Sequence, residues 1–277
     1  MVESGELQEI IDEFLQANVE WTFDTVADMK LATNLLAGSY AKTLGFYAIG
    51  DGGGATYKIS DTGTANEMDV IAIDTLFANL VANKEVNAKQ FGAKGDGSTD
   101  DTAALQRAID YTSSIHGTLN ITDGTYMVDA VTNLIVKSNI ELNFINAKIK
   151  AIATDQTTYN VLYFKDCQNC VINDAVVEGE KDEHIGDSGE YGYGICIRGD
   201  SKNLTFNNVT VSNCWGDGIF IHKLGSESPY TYPTEIYFNG YIRISNCRRQ
   251  GISIISCGNI FLDKVICKNI FGTDPSA

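Results

Sequence analysis

The residues best suited to acid–base chemistry fall in the last third of the chain. Asp217 sits in Trp215-Gly216-Asp217-Gly218, a turn opening a strand, and is the foremost candidate acid. Glu178 is the second, with Asp182, Glu183 and Asp200 as alternatives. His222 could act as acid, base or metal ligand, although a lone histidine in a ladder is more often a surface residue. Around them lie Lys165, Arg198, Lys223, Arg248 and Arg249, with Trp215 and Tyr193 as rings able to stack on a sugar face. Glycoside hydrolysis needs two carboxyls flanking one bond, whereas a lyase or epimerase needs a base beside a uronate carboxylate neutralised by Arg or Lys. The candidate catalytic set is therefore Asp217, Glu178 and His222. The candidate substrate-binding set is Arg198, Trp215, Lys223, Arg248 and Arg249, a basic strip on which a negatively charged polymer could dock. Ordinary solvated charge is the competing reading.

What must position them is an internal repeat. Asn139-Ile140-Glu141-Leu142-Asn143 recurs as Asn169-Cys170-Val171-Ile172-Asn173, Asn203-Leu204-Thr205-Phe206-Asn207, Glu235-Ile236-Tyr237-Phe238-Asn239 and Asn259-Ile260-Phe261-Leu262-Asp263, with starts 30, 34, 32 and 24 residues apart. A bare coil is the shortest interval, and the others carry inserted loops. A second column holds Leu162, Ile195, Ile219 and Ile252 inward and Lys165, Arg198 and His222 outward. Asn213-Cys214 and Asn246-Cys247 recur with Asn269, and asparagine tolerates the left-handed corner a coil requires while stacked amides can hydrogen-bond along the axis. A leucine-rich repeat is excluded by the absence of its Leu-x-x-Leu-x-Leu spacing.

Composition narrows the class. Three prolines against 26 glycines favour many short strands, and 44% apolar residues supply real cores. A net charge of -16 opposes nucleic-acid binding. No stretch is long and apolar enough for a membrane span, and residues 1–20 lack the basic and apolar regions of a signal peptide. Seven cysteines, an odd set between Cys167 and Cys267, read as reduced thiols of a protein folded in a cytoplasm. Cys167 and Cys170 form a lone C-x-x-C with nothing to complete a zinc site, and neither a metal nor an organic cofactor is expected.

Along the chain, Leu7, Ile10, Ile11, Phe14 and Leu15 suggest a short amphipathic helix over residues 1–20. Residues 21–83 read as a small α/β attachment module, with a helix over 25–36 and strands over 43–49 and 55–59. The glycine-rich stretch 50–54 is a turn rather than a phosphate loop, because no Gly-Lys-Ser/Thr follows and a strand comes next. Residues 84–277 form the third unit. It opens on Phe91-Gly92, Gly95-Asp96-Gly97 and Asp100-Asp101, where Thr99 or Asp100 could cap a helix whose apolar face carries Leu105, Ala108 and Ile109. The acidic loop lacks an EF-hand pattern, so capping is favoured over calcium.

That opening motif resembles the pectate-lyase-like superfamily found in phage tail spikes and polysaccharide-degrading enzymes. The resemblance covers residues 86–277 and implies a mostly β fold: a right-handed single-stranded parallel β-helix with an N-terminal capping helix, preceded by the small α/β module and the short N-terminal helix. The segments 25–30, 45–47 and 54–57 are similar to the module preceding β-helices in tail proteins of phages infecting Gram-positive bacteria. Of the polygalacturonase motifs only Asp217 overlaps the aspartate pair; its neighbour is Gly218, no Gly-His-Gly occurs, and Arg243-Ile244-Ser245 lacks the lysine.

The resemblance implies a phage tail spike or appendage that binds and depolymerises a host polysaccharide or teichoic acid during adsorption, as a hydrolase or lyase. The alternative is a non-catalytic trimeric receptor-binding or structural tail protein. Implied partners are the host surface polymer, two further copies of the chain, and other tail or baseplate proteins, in a virion tail. A trimer is also hinted at by Val171, Tyr237 and Phe261, outward and apolar on one column. The chain ends one strand after a complete coil, which reads as a fragment with any further catalytic acids beyond Ala277.

Overall fold

The computed structural model describes residues 20–225 and 231–271. The amphipathic segment over residues 7–15 lies outside the described residues. The chain divides into two compact units, one of Met1–Asn83 with Asn87–Gly92 and one of Lys84–Val86 with Ala93–Ala277.

In the first unit a helix α1 (Val26–Lys30) packs with a sheet of β1 (Glu20–Phe23), β2 (Tyr40–Thr43), β3 (Thr56–Ser60), β4 (Val70–Ile73) and β5 (Leu76–Val81), ordered β1-β2-β3-β5-β4. Only β1 and β2 run parallel. Thr25 caps α1 reciprocally with Asp28, a motif worth about 1 kcal/mol. The helix is shorter than its expected span of 25–36. Val26 and Met29 are its buried face, and the residue that closes it, Leu31, is left exposed. The expected strand over 43–49 is likewise a loop from 44 onward. Asp51 organises it, its carboxylate accepting hydrogen bonds from the backbone N–H groups of Phe46, Tyr47, Ala48 and Gly53 at 2.7–3.1 Å. Burial pushes this carboxyl up, but the four N–H donors outweigh it and hold the pKa below the usual value. The loop of residues 46–53 is thus a ring of donors already filled by the Asp51 side chain.

The second unit stacks parallel strands. Beyond two short strands, β6 (Glu85–Asn87) and β7 (Asp96–Asp100), helix α2 (Thr102–Ser114) packs against β8 (Thr118–Val128) and β9 (Leu134–Val136). Its N-cap is Asp101, not Thr99 or Asp100. The Asp101 carboxylate turns back to accept the N–H groups of Lys94 and Gly95 at 2.7 and 3.0 Å, and Asp100 takes the Thr102 N–H at 3.0 Å. Gly95 is needed there: at φ +65°, a Cβ would come within 2.8 Å of the buried Tyr126 ring.

From β8 on, successive coils place strands in two parallel sheets. One holds β8, β10 (Ile140–Ala151), β12 (Gln168–Asn173) with β13 (Val176–Glu178), β15 (Lys202–Ser212), β17 (Thr234–Ser245) and β19 (Ile260–Lys268). The other holds β9, β11 (Thr158–Lys165), β14 (Tyr191–Arg198), β16 (Ile219–His222) and β18 (Ile252–Ile254). The registers follow the repeat read from sequence: Ile140 aligns with Cys170, Leu204, Ile236 and Ile260, and Leu162 with Ile195, Ile219 and Ile252. Leu162, Ile195 and Ile219 are fully buried. Corners are set by asparagines at positive φ, among them Asn139, Asn169, Asn203, Asn213 and Asn246. A separate amide ladder runs from Asn120 through Asn143, Asn173 and Asn207 to Asn239, each step 2.7–3.1 Å. Those asparagines are engaged with one another along the stack, as an architectural role requires.

Candidate functional site

Two places in the stack collect the chemistry-bearing residues. The first is the pair of tight turns joining β15 to β16 and β17 to β18, Asn213-Cys214-Trp215-Gly216-Asp217-Gly218 and Asn246-Cys247-Arg248-Arg249-Gln250-Gly251. Glycine ends both because the next coil leaves no room. A Cβ on Gly218 would lie 2.5 Å from Ile244 and 3.3 Å from the Cys247 sulfur, and one on Gly251 would lie 2.7 Å from the Cys267 sulfur. All seven cysteines are free thiols.

The residues 179–190 between β13 and β14 fold back over these turns. Glu180, fully buried, accepts from the Tyr159 hydroxyl and lies 3.0 Å from the His184 ring nitrogen. His184 stacks on Trp215 at 3.7 Å, and the Arg248 guanidinium sits 4.0 Å over the Trp215 ring while donating to the Gly189 and Asp187 carbonyls at 2.5 and 3.4 Å. Trp215 is only 7% exposed, so its faces are taken by protein and not open to a sugar. Arg248 is likewise engaged by the loop backbone.

Alongside, Arg249 lies 3.5 Å from the Asp217 carboxylate and 3.8 Å from that of Glu190. Asp217 is fully buried and accepts the Gln250 N–H at 3.2 Å. Burial pushes its pKa up, opposed by the Ser253 hydroxyl, the Arg249 guanidinium and the Gln250 N–H. Two carboxyls sharing one guanidinium, one of them biased toward its protonated form, form an acid–base pair in outline. Glu178 is elsewhere: on β13 it pairs with Lys148 at 2.6 Å and Lys150 at 3.1 Å, and although burial raises its pKa the two lysines hold it low. It does not join Asp217. Glu180, His184, Glu190 and Tyr159 were not singled out in the sequence. Glu180 was findable, because aligning Glu178 with Ser212 places Glu180 where the next coil has the core cysteine Cys214.

The second place is the outer face of β11, β14 and β16. Lys165 aligns with Arg198, and Arg198 with His222, as the repeat implied. Arg198 donates from Nε and Nη2 to the Lys223 carbonyl at 3.3 and 3.2 Å. The His222 Nδ1 is buried without a hydrogen-bond partner, and its pKa is lowered by burial and then by Arg198 and Lys223. Beside this column run Tyr163, Cys196 and Phe220, with Tyr193 stacked on Phe220 at 4.2 Å. Tyr193 is therefore closed to a sugar on that face. Val171, Tyr237 and Phe261 do share one outward column, with Thr205 between Val171 and Tyr237, and Tyr237 stacks on Phe261 at 5.0 Å. Among the described residues, no three His, Cys, Asp or Glu side chains converge as a metal site requires.

Residues 85–142 match the family model for rhamnogalacturonase A/epimerase, pectate lyase-like. Over 154 residues the chain is 29% identical to the mannuronan C5-epimerase AlgE2 of Azotobacter vinelandii, a match covering 50% of this chain and 15% of that protein. Over 62 residues it is 48% identical to alginate lyase 7 of the same organism, 20% of this chain and 7% of the lyase. In fold it is similar to the tailspike protein gp49 from Acinetobacter baumannii bacteriophage Fri1, described as a capsular polysaccharide depolymerase, with a TM-score of 0.70 at 18% identity over 93% of this chain and 50% of that one. The chain thus spans half or less of each of these proteins.

Proposed function

We propose that this chain belongs to a phage tailspike or tail appendage that binds and depolymerises a host cell-surface polysaccharide during adsorption. The observation that carries this reading is that the likeness to the gp49 tailspike extends over 93% of the chain, so the small N-terminal unit and the parallel stack recur together. In this reading the stack is a right-handed single-stranded β-helix, helix α2 caps its first coil, and the first unit serves attachment to the tail. The protein folds in the host cytoplasm and works on the virion as a homotrimer.

The cluster of Asp217, Glu190 and Arg249 supports the chemistry. Asp217, biased toward the protonated state, serves as general acid; Arg249 neutralises negative charge on the substrate or on Glu190. Because Asp217 is fully buried, the reaction requires the groups that cover it to move aside. The test is incubation of the protein with purified capsular and wall polymers. New reducing ends, unsaturated uronate absorbance or glycerol phosphate are expected, and Asp217→Asn should abolish them while polymer binding persists. Binding of a host polymer with no product of any kind would overturn the depolymerase. The burial of Asp217 is what favours the second reading, a non-catalytic receptor-binding stalk.

A further inference from the structure

Cysteine recurs at one place in the repeat, directly after a corner asparagine: Asn213-Cys214 follows β15 and Asn246-Cys247 follows β17. Both asparagines hold positive φ, 59° and 57°, and the side chain after each is buried. The register of β15 on β17, with Ser212 opposite Ser245, carries on into the corner. There the Asn213 N–H donates to the Ser245 carbonyl at 3.1 Å, the Arg248 N–H donates to the Cys214 carbonyl at 3.0 Å, and the Asn246 amide donates to that of Asn213 at 3.0 Å. Cys214 and Cys247 are therefore neighbours on one rung, separated by the spacing of adjacent parallel strands, about 4.8 Å.

The two thiols also take the same direction. Each Sγ lies 3.5 Å from the carbonyl two residues before it, that of Ser212 or Ser245. Each fills space left by a glycine: a Cβ on Gly194 would meet the Cys214 sulfur at 2.8 Å, and one on Gly218 the Cys247 sulfur at 3.3 Å. The two thiols are in hydrogen-bond contact with each other. That contact holds the Cys247 pKa below the ordinary thiol value against burial, and with burial it pushes the Cys214 thiol up, so Cys247 is the readier thiolate. A disulfide needs Cα atoms about 4.4–6.8 Å apart and Cβ atoms about 3.5–4.5 Å apart. The rung supplies the first, and the second requires the side chains to close by under about 1 Å. Cys167 and Cys170 share a single corner, where a bond would tie one turn only to itself, and the Cys170 sulfur is directed at the Lys137 carbonyl at 3.2 Å.

We propose that Cys214 and Cys247 are a latent cross-link, oxidised by a peroxide to a disulfide that staples two successive coils. In the first step the Cys247 thiolate attacks one peroxide oxygen and the O–O bond breaks. A sulfenic acid forms on Cys247, and the departing hydroxide takes up the proton the thiol gave, leaving as water. In the second step the Cys214 sulfur attacks the sulfenic sulfur; the S–S bond forms, and the displaced hydroxyl leaves with the Cys214 proton as water. Two thiols thus lose two electrons and two protons, and one peroxide is reduced to two waters. Burial makes the reaction wait on local opening of the corner, so it runs slower than oxidation of the exposed Cys267. The bond joins the turns 213–218 and 246–251 and removes from the unfolded chain the freedom of the loop between them. It concerns the stack alone and stands or falls independently of what the stack binds or cleaves.

The test uses the full chain carrying Cys257→Ser and Cys267→Ser, which removes the two thiols that are not fully buried. After exposure to hydrogen peroxide, peptide mapping without reductant should yield one linked pair of peptides joining Cys214 to Cys247, two hydrogens lighter than its parts. The oxidised protein should melt about 5–10 °C above the reduced one. Cys247→Ala in the same background should lose both the linked pair and the rise, while Cys167→Ala should keep them. Dithiothreitol changes no side chain, and its return of the melting temperature to the starting value keeps the result clear of any misfolded variant. Both thiols still free after prolonged peroxide, sulfinic acid at either sulfur in place of the bond, a bond between Cys167 and Cys170 instead, or a linked protein that melts no higher than the reduced one would each overturn the inference.

Discussion

Arg248 and Arg198 belong to one basic strip when the sequence is read as stacked coils, yet the folded chain uses them oppositely. Arg248 lies in a turn overlaid by residues 179–190, where two backbone carbonyls and the Trp215 ring absorb its guanidinium. Arg198 stands on the outer face of β14, aligned between Lys165 and His222, and donates to a single acceptor, the Lys223 carbonyl. The difference comes from what covers each position. A turn adjoining an inserted segment becomes interior and spends its charge on holding that segment, whereas a strand face left uncovered keeps its charge for solvent or ligand. Only the second kind of arginine can greet a polymer without prior rearrangement.

The sharpest way to break this contrast is to cut out the ring that the turn encloses. Trp215→Ala removes a buried indole together with its His184 and Arg248 contacts, and a loss of about 3–5 kcal/mol is expected on urea unfolding. Lys165→Ala, on the exposed face, should stay within about 0.5 kcal/mol of the parent. Equal effects would mean that the turn is not the packed region described. Arg248→Ala should cost less, about 1–3 kcal/mol, since its bonds to Gly189 and Asp187 can be replaced in part by water. Limited proteolysis should then cut within residues 179–190 faster than in the parent; an unchanged cleavage rate would make Arg248 a bystander.

Asp217→Asn sharpens the comparison through pH. The folded chain raises the Asp217 pKa, so the carboxyl's contribution to stability is fully present below the unfolded value of about 3.9 and is lost as pH rises through the folded value. The asparagine variant should therefore gain on the parent in melting temperature between about pH 3 and pH 7. A constant difference across that window would show that burial does not penalise the charge.

How much of this was legible follows from where periodicity operates. Leu162, Ile195, Ile219 and Ile252 could be aligned by eye because each coil must return an aliphatic residue to the same interior column, and Lys165, Arg198 and His222 came with them as the outward neighbours. Inserted segments carry no period at all. Nothing in residues 179–190 announces that His184 will stack on Trp215 or that Glu190 will reach Arg249, and so the sequence treats Trp215 and Arg248 as open to a ligand. The helix over 25–36 failed for a related reason: the apolar spacing runs on through Ala32 and Leu36, but the folded chain leaves Leu31 and Leu36 exposed, and propensity alone does not continue a helix without a face to bury.

The smallest expected effect concerns His222, the one member of the outer column that titrates near neutrality. It is faced by Arg198 from the neighbouring strand, Lys223 next in the chain, the edge of the Phe220 ring at 5.8 Å, and Ile255 from the coil beyond. No carboxylate is among them, and burial with two cations lowers its pKa below the ordinary histidine value of about 6.5. At neutral pH the column therefore presents lysines and arginine but an uncharged imidazole, and acidification adds one positive charge. Binding of a polyanion should tighten about two- to fivefold as pH falls from about 7 to about 5.5, the scale of one surface ion pair, and high salt should flatten the trend. His222→Gln should bind almost as well at pH 7 and lose the pH dependence. A parent whose affinity weakens on acidification, or a glutamine variant that keeps the full rise, would place the polymer away from His222 and leave the buried turn as the better place to seek it.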